Sequence, residues 1–475
     1  MEQELGVIVD DKGKRRGSLN GIVEGGIADE VRVTVAGCAL CHTGRVAGKV
    51  YRGLGNKTID VWNANRVLHR VMAANYPALL FPRRPMLDVE RVTNPSFGRY
   101  TLISRAIALT GRMAYEPWAS RTRGLVPDGL VMWWFLGHNN DKMEEGAPRG
   151  EVKVPALWGF ATRRGLRPGP STPDAPYPVP LFADGFAHGR GLLAGAELGA
   201  DPHPATLGYK GYKQRAEQIA TLLAGLVGAD GPPAFPCSVD QKLSEAGKVV
   251  FAERCQDCHG DHSGISREAP KIKAIGVVGT DPERLRIAAA SDFSGGARCA
   301  PGAFCERGRA AVDAVAAVDS RRGIERSRWR PEPGGVAIGY FAPRLDGIWA
   351  RFPYLHNGSV PTLWHLLGPV AERPVAFDLT EASTVAGFDP VMGGLSVPGG
   401  KATCTVDPDA FPTGADRLEY CTERTGQSNI GHDFWWRPGG DPLSDGERTA
   451  VIEYLKTLGG GVQNVPEQWC AGKGS

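Results

Sequence analysis

Apolar residues in this chain follow a helical period in only a few stretches, and each stretch opens or closes a unit of the fold. Ile219, Leu222, Leu223 and Leu226 fall at i, i+3, i+4 and i+7, one apolar face of a helix. That pattern runs into Gly225 to Pro233, whose Gly and Pro content marks the chain's strongest linker signal. Just beyond it, Gly247 to Cys255 reads as a helix with Phe251 four residues ahead of Cys255. Near the C-terminus, Ser444 and Glu447 form a capping box, and Val451, Tyr454, Leu455 and Leu458 supply the apolar stripe of a last helix. Strands look short and few. The pattern predicts a mainly α protein with long irregular loops, divided into residues 1–230 and 231–475. No run of 18 apolar residues exists, so no membrane span is expected.

Composition sharpens this picture. At 475 residues the chain exceeds the ~250–300 at which one hydrophobic core stops growing, so two or more domains are expected. It holds 63 glycines and 36 prolines, about a fifth of all residues against an average near 12%. A chain so rich in loops makes sense if bound groups form much of its core. The formal net charge of +3 argues against a nucleic-acid partner.

Two strings carry the chemistry. Cys38-Ala39-Leu40-Cys41-His42 and Cys255-Gln256-Asp257-Cys258-His259 are each a Cys-x-x-Cys-His attachment site for one c-type haem. The two thiols add across the porphyrin vinyl groups, and the adjacent imidazole falls beneath the iron as proximal ligand. The expected fold is therefore two cytochrome c-type domains, each around one covalent haem, with His42 and His259 as iron ligands. The layout Gly247-x-x-x-Phe251-x-x-x-Cys255 is familiar from small cytochrome c domains.

Covalent haem of this kind implies a bacterial periplasmic or secreted protein, and six further cysteines suit an oxidising space. They permit 15 connectivities. Proximity in sequence favours Cys299 with Cys305 and Cys404 with Cys421, leaving Cys237 for Cys470. The polar start Met1-Glu2-Gln3-Glu4 has no apolar signal core, and the sequence is expected to begin at a mature or recombinant start.

The segment Gly347-Ile348-Trp349-Ala350-Arg351-Phe352-Pro353-Tyr354-Leu355-His356-Asn357-Gly358-Ser359-Val360-Pro361-Thr362-Leu363 closely resembles a signature of the bacterial dihaem cytochrome c peroxidase superfamily. Asn429-Ile430-Gly431-His432, with Leu443-Ser444 and Glu453 to Leu458, is similar to the ending of its rubber-oxygenase branch. In the N-terminal half the resemblance rests on Val154-Pro155-Ala156-Leu157-Trp158-Gly159 and Leu181-Phe182-Ala183-Asp184-Gly185.

The resemblance implies a division of labour between a saturated low-spin haem and one with an open position. His432 is expected as sixth ligand of the C-terminal haem opposite His259, with His356 and Met392 as competitors. His356 is read as standing beside that haem, and Arg351 and Tyr354 as contacts to its propionates. The haem of His42 is then the reaction centre. Trp158 is expected between the haems as an electron relay, with Phe182 and Phe186 as an apolar distal wall and His188 as a polar group there. His69 and His138 are alternative ligands that would close this iron. The resemblance also implies a calcium ion between the domains, although no Asp-x-Asp-x-Asp-Gly loop places one.

One departure bears on the reaction. Where the peroxidase branch carries tryptophan and arginine, this chain has Ala183 and Phe186; the position of the branch's following glutamine falls near Leu193, where the nearest acid is Glu197. A missing general acid–base group costs typically about 10²–10⁴-fold in rate, which makes for a poor peroxidase. The sequence therefore favours dioxygen as co-substrate and an apolar, alkene-like small molecule or polymer as substrate. Three alternatives stay open: a hydrogen-peroxide-reducing cytochrome c peroxidase fed by a small redox protein, a dihaem electron carrier, and a protein-modifying dihaem enzyme.

Overall fold

A computed structural model describes residues 22–28, 31–36, 41–61, 63, 120–127, 150–158, 232–260, 272–283, 339–398, 400–433, 441–460 and 470. Its strands come in antiparallel pairs. β1 (Ile22–Ala28) pairs with β2 (Val31–Ala36), β3 (Thr43–Val46) with β4 (Lys49–Arg52), and β5 (Leu125–Pro127) with β6 (Glu151–Lys153). α1 (Gln241–Arg254) and the short α2 (Gln256–His259) follow, then β7 (Ile272–Ala274), α3 (Ile275–Val278) and β8 (Gly339–Phe341), with β7 paired to β8. The remainder comprises α4 (Leu363–Leu367), β9 (Ala376–Asp378), β10 (Phe388–Asp389), β11 (Gly394–Leu395), β12 (Glu419–Cys421) and α5 (Asp445–Thr457). β12 pairs with β9 and β10 with β11. Short ladders thus carry more of the described chain than the sequence pattern suggests. None of the described helices is long and apolar enough to cross a membrane.

Two long helices form the frame of the C-terminal part. α1 starts at Asp240, whose carboxylate accepts from the Leu243 amide at 3.0 Å. α5 starts at the expected capping box, in which Ser444 and Glu447 bond reciprocally. The helices cross where Gly247 meets Ala450: a Cβ on Gly247 would stand 1.8 Å from the Ala450 carbonyl oxygen. One turn further on, Phe251 and Tyr454 pack with ring centroids 5.2 Å apart. This contact brings the C-terminal end of α1, and with it Cys255 and α2, against the core.

Segments on either side of position 230 share a buried polar seam. Asp60 accepts from Arg417 at 2.5 Å, and Arg417 also donates to the Ser120 carbonyl at 2.9 Å. Glu151 accepts from the Arg121 amide at 2.8 Å and from the Gln427 side chain. Arg424 donates to Thr122 Oγ1 at 3.1 Å. Burial raises the pKa of Glu151, and the hydrogen bonds of Arg121 and Gln427 offset part of that rise.

Two expected disulfides are present: Cys237–Cys470 and Cys404–Cys421. Both draw on cysteines outside the Cys-x-x-Cys-His strings. The expected pair Cys299 and Cys305 lies outside the described residues, as does the helix ending near Leu226.

Candidate haem site

α2 ends in His259, whose Nδ1 lies 2.8 Å from the Pro343 carbonyl. A carbonyl oxygen accepts only, so Nδ1 carries the proton and Nε2 presents its lone pair to the other side. There it meets His432. The two ring centroids lie 6.3 Å apart, with ring planes at 48°. Imidazole nitrogen binds a first-row metal at roughly 2 Å, and the ring centroid lies about 1 Å behind that nitrogen. Two imidazoles around one iron therefore need centroids about 6 Å apart, the separation found here.

His432 owes its place to an unusual backbone. It has φ 54°, and Gly431 before it has φ 82°. A side chain at Gly431 would put Cβ 2.3 Å from the backbone of Gly279 and Thr280, so only glycine fits. The His432 amide donates to the Val278 carbonyl at 2.7 Å, and Arg373 donates to the Gly431 carbonyl at 2.9 Å and to Asn429. A non-glycine residue held at positive φ is strain that the surroundings impose. Burial, with the positive fields of His259 and Arg373, lowers the His432 pKa to about 3. The ring is thus neutral, the form that ligates metal.

The long signature segment builds this loop. Asn357 donates its amide to the carbonyls of Gly426 at 3.2 Å and Ser428 at 3.0 Å, and its own carbonyl accepts from Tyr420 at 2.9 Å. Asn357 therefore ties the chain six and four residues ahead of His432 to the core. The expected neighbours take defined places. His356 stacks on Tyr340 at 4.2 Å and lines the cavity. Tyr354 gives its hydroxyl proton to the Gly393 carbonyl at 2.8 Å, so it contributes its ring to the wall. Arg351 lines the cavity and donates to the Arg344 carbonyl at 2.7 Å. Met392 is not part of the wall.

Between the two histidines lies a cavity of about 290 Å³. Cys255, Cys258, His259 and His432 all face it, and its apolar walls include Phe251, Ile348, Phe352, Leu363, Leu367 and Leu455. Two thiols and two opposed imidazoles around an apolar slot are the donor set of a covalent bis-His haem.

The N-terminal string repeats half of this geometry. His42 is buried, and its Nδ1 lies 2.9 Å from the Pro155 carbonyl. Burial lowers its pKa to about 4, against the opposing effect of that hydrogen bond. Pro155 stands two residues past β6, as Pro343 stands two residues past β8. The runs Pro155-Ala156-Leu157-Trp158-Gly159 and Pro343-Arg344-Leu345-Asp346-Gly347 share Pro, Leu and Gly at the same offsets. That correspondence is visible in the sequence and identifies both carbonyl acceptors once each is seen beside a histidine. Trp158 is buried and donates to the Arg52 carbonyl at 3.0 Å. Cys38, Phe182, Phe186, His188, His69, His138 and Glu197 lie outside the described residues.

Among the described residues, one grouping of metal-ligand atoms occurs, Cys404, Cys421 and Glu423. Its two sulfurs form a disulfide, so it offers no place for the calcium ion.

Residues 339–378 match the family of RoxA-like, cytochrome c-like domains. The matched stretch contains Pro343, Arg351 and Asn357, which build the His259–His432 site. This supports a haem cofactor, a haem-dependent oxidoreductase and kinship with the rubber-oxygenase-like cytochromes. Two curated relatives come from Sinorhizobium fredii. The uncharacterized protein y4iJ is 29% identical over 270 residues, covering 48% of this chain and 41% of that protein. The uncharacterized protein y4iM is 30% identical over 297 residues, covering 57% and 59%. The chain thus spans about half the length of the curated relatives it matches.

Proposed function

We propose that the chain is a periplasmic or secreted dihaem c-type oxidoreductase that uses dioxygen to oxidise an apolar, alkene-like small molecule or polymer. Residues 231–475 hold the electron-transfer haem between His259 and His432, and residues 1–230 hold the reaction-centre haem on His42. The opposition of His259 and His432 at 6.3 Å carries this reading, because a filled pair of axial positions suits electron transfer and leaves chemistry to the other site. Bound haem iron supplies one-electron redox chemistry and, at an open coordination position, dioxygen activation.

The chain's own residues supply tautomer, orientation and dryness. Pro155 and Pro343 hold the protons of His42 and His259 on Nδ1. Asn357 and Arg373 hold the His432 loop. Trp158, buried beside the His42 acceptor Pro155, offers an oxidisable indole on the way to the C-terminal site. Phe182, Phe186 and His188 are proposed to line the distal side of His42.

The experiment is the EPR and visible spectrum of the purified protein, oxidised and reduced, with dioxygen, hydrogen peroxide and imidazole added in turn. One low-spin bis-His signal beside one ligand-exchangeable signal that responds to dioxygen is the expected result. Consumption of peroxide by a reduced small redox protein selects the peroxidase instead. Two low-spin signals indifferent to every addition overturn the enzyme reading in favour of an electron carrier.

A further inference from the structure

We propose that Lys57, Lys153 and Arg351 form the carboxylate-binding rim of the cavity and hold the propionates of the porphyrin ligated by His259 and His432. The proposal rests on the haem reading above. Among the described residues, the cavity wall carries five cationic side chains, Lys57, Arg123, Lys153, Arg254 and Arg351, and no aspartate or glutamate. Arg123 lies 3.6 Å from Asp60. The two lysines lean on neutral groups. Lys57 is buried, its ammonium lies 4.4 Å over the Phe352 ring, and it reaches the Arg45 carbonyl at 3.5 Å. Lys153 donates to the carbonyls of Arg351 at 2.8 Å and Pro353 at 2.6 Å and faces the Tyr354 ring at 5.6 Å.

Burial holds the pKa of Lys57 down to about 7, and burial with the fields of Arg351 and Lys57 holds that of Lys153 well below its usual range. Like charges gathered at a desolvated rim are costly unless an anion joins them. A porphyrin would bring two carboxylates on one edge, and the remaining wall, which includes Phe251, Leu363 and Leu455, is apolar as the rest of the macrocycle requires. The positions of the lysines carry a further consequence. Asn56, next to Lys57, donates its amide to the Cys41 carbonyl at 2.8 Å, and Lys153 closes β6 two residues before Pro155. The segments that seat His42 would therefore also grip the porphyrin of the other site, so that loading the C-terminal haem fixes the geometry of the N-terminal one.

The test uses the full-length, haem-loaded protein as wild type, Lys57→Met, Lys153→Met, the double variant and Lys153→Arg. The midpoint potential of the low-spin haem and its propionate modes in resonance Raman are measured, with and without inorganic phosphate. A cation near the iron disfavours the ferric state, so each Met variant should lower the potential and shift the propionate modes, the double variant most. Lys153→Arg should restore wild-type values. Gln variants at both positions serve where a Met variant does not accumulate. Unchanged potentials and modes in low-spin Met or Gln variants overturn the proposal. A wild-type potential that responds to phosphate, with the response lost in the variants, overturns it in favour of a free-anion site. Absence of covalent haem on the peptide carrying Cys255 and Cys258, read by mass spectrometry of a protease digest, is a failure of the haem reading itself and is told apart before any potential is measured.

Discussion

The indole of Trp158 lies across Gly347, so close that a Cβ on that glycine would stand 3.2 Å from its ring carbons. Trp158 follows Pro155, the acceptor of His42, by three residues, and Gly347 follows Pro343, the acceptor of His259, by four. The Trp158 indole is thus a direct contact between the segments that seat the two histidines. Trp158→Phe should keep both haem spectra, lose one hydrogen bond worth about 1 kcal/mol, and slow electron exchange between the haems, measured after pulsed reduction of one of them.

His432→Ala removes one of two opposed imidazoles. The C-terminal haem should change from low to high spin, and added imidazole should restore the low-spin spectrum. A low-spin spectrum that survives the substitution would show another residue in the axial position.

Gly431→Ala should give much of the same spectral loss without touching a ligand. Its Cβ would overlap the backbone of Gly279 and Thr280, and a non-glycine residue at φ 82° adds about 1 kcal/mol or more. Titration with imidazole separates this displacement from loss of the ring, since Gly431→Ala retains His432.

Gly247→Val drives side-chain atoms into the Ala450 carbonyl at the α1–α5 crossing. Overpacking costs typically about 1–3 kcal/mol, and here the obstacle is backbone. Denaturant unfolding should show a loss of about 3 kcal/mol, with Gly247→Ala losing less.

Glu151 fixes a pH dependence. Its folded-state pKa is raised above 4.5, chiefly by burial, so the folded state holds the proton more tightly than the unfolded chain. Its contribution to stability is fully present below about pH 4.5 and is lost as pH rises through the folded-state pKa. In denaturation series at several pH values, Glu151→Gln should be flatter than wild type above pH 4.5. Parallel curves would contradict the assignment.

Residue patterns alone determined the two Cys-x-x-Cys-His strings, a helix over Gly247 to Cys255, the Ser444–Glu447 box and the signature from Gly347 to Leu363, because each depends on chemistry or periodicity between near neighbours in the chain. They also singled out His432, through its resemblance to a known ending. Only the tertiary structure decided that His432 faces His259 across 6.3 Å, that Tyr354 spends its proton on Gly393, and that Pro155 and Pro343 orient the two histidines. The same holds for Lys57 and Lys153. In sequence Lys57 stands between Asn56 and Thr58 and Lys153 between Val152 and Val154, and nothing local marks either as part of a site. They become a cationic rim because the strand pair β5–β6, the loop after β4 and the turn at Arg351 converge on one cavity. Convergence of distant segments is set by packing across the whole core, and that leaves no period or spacing to read.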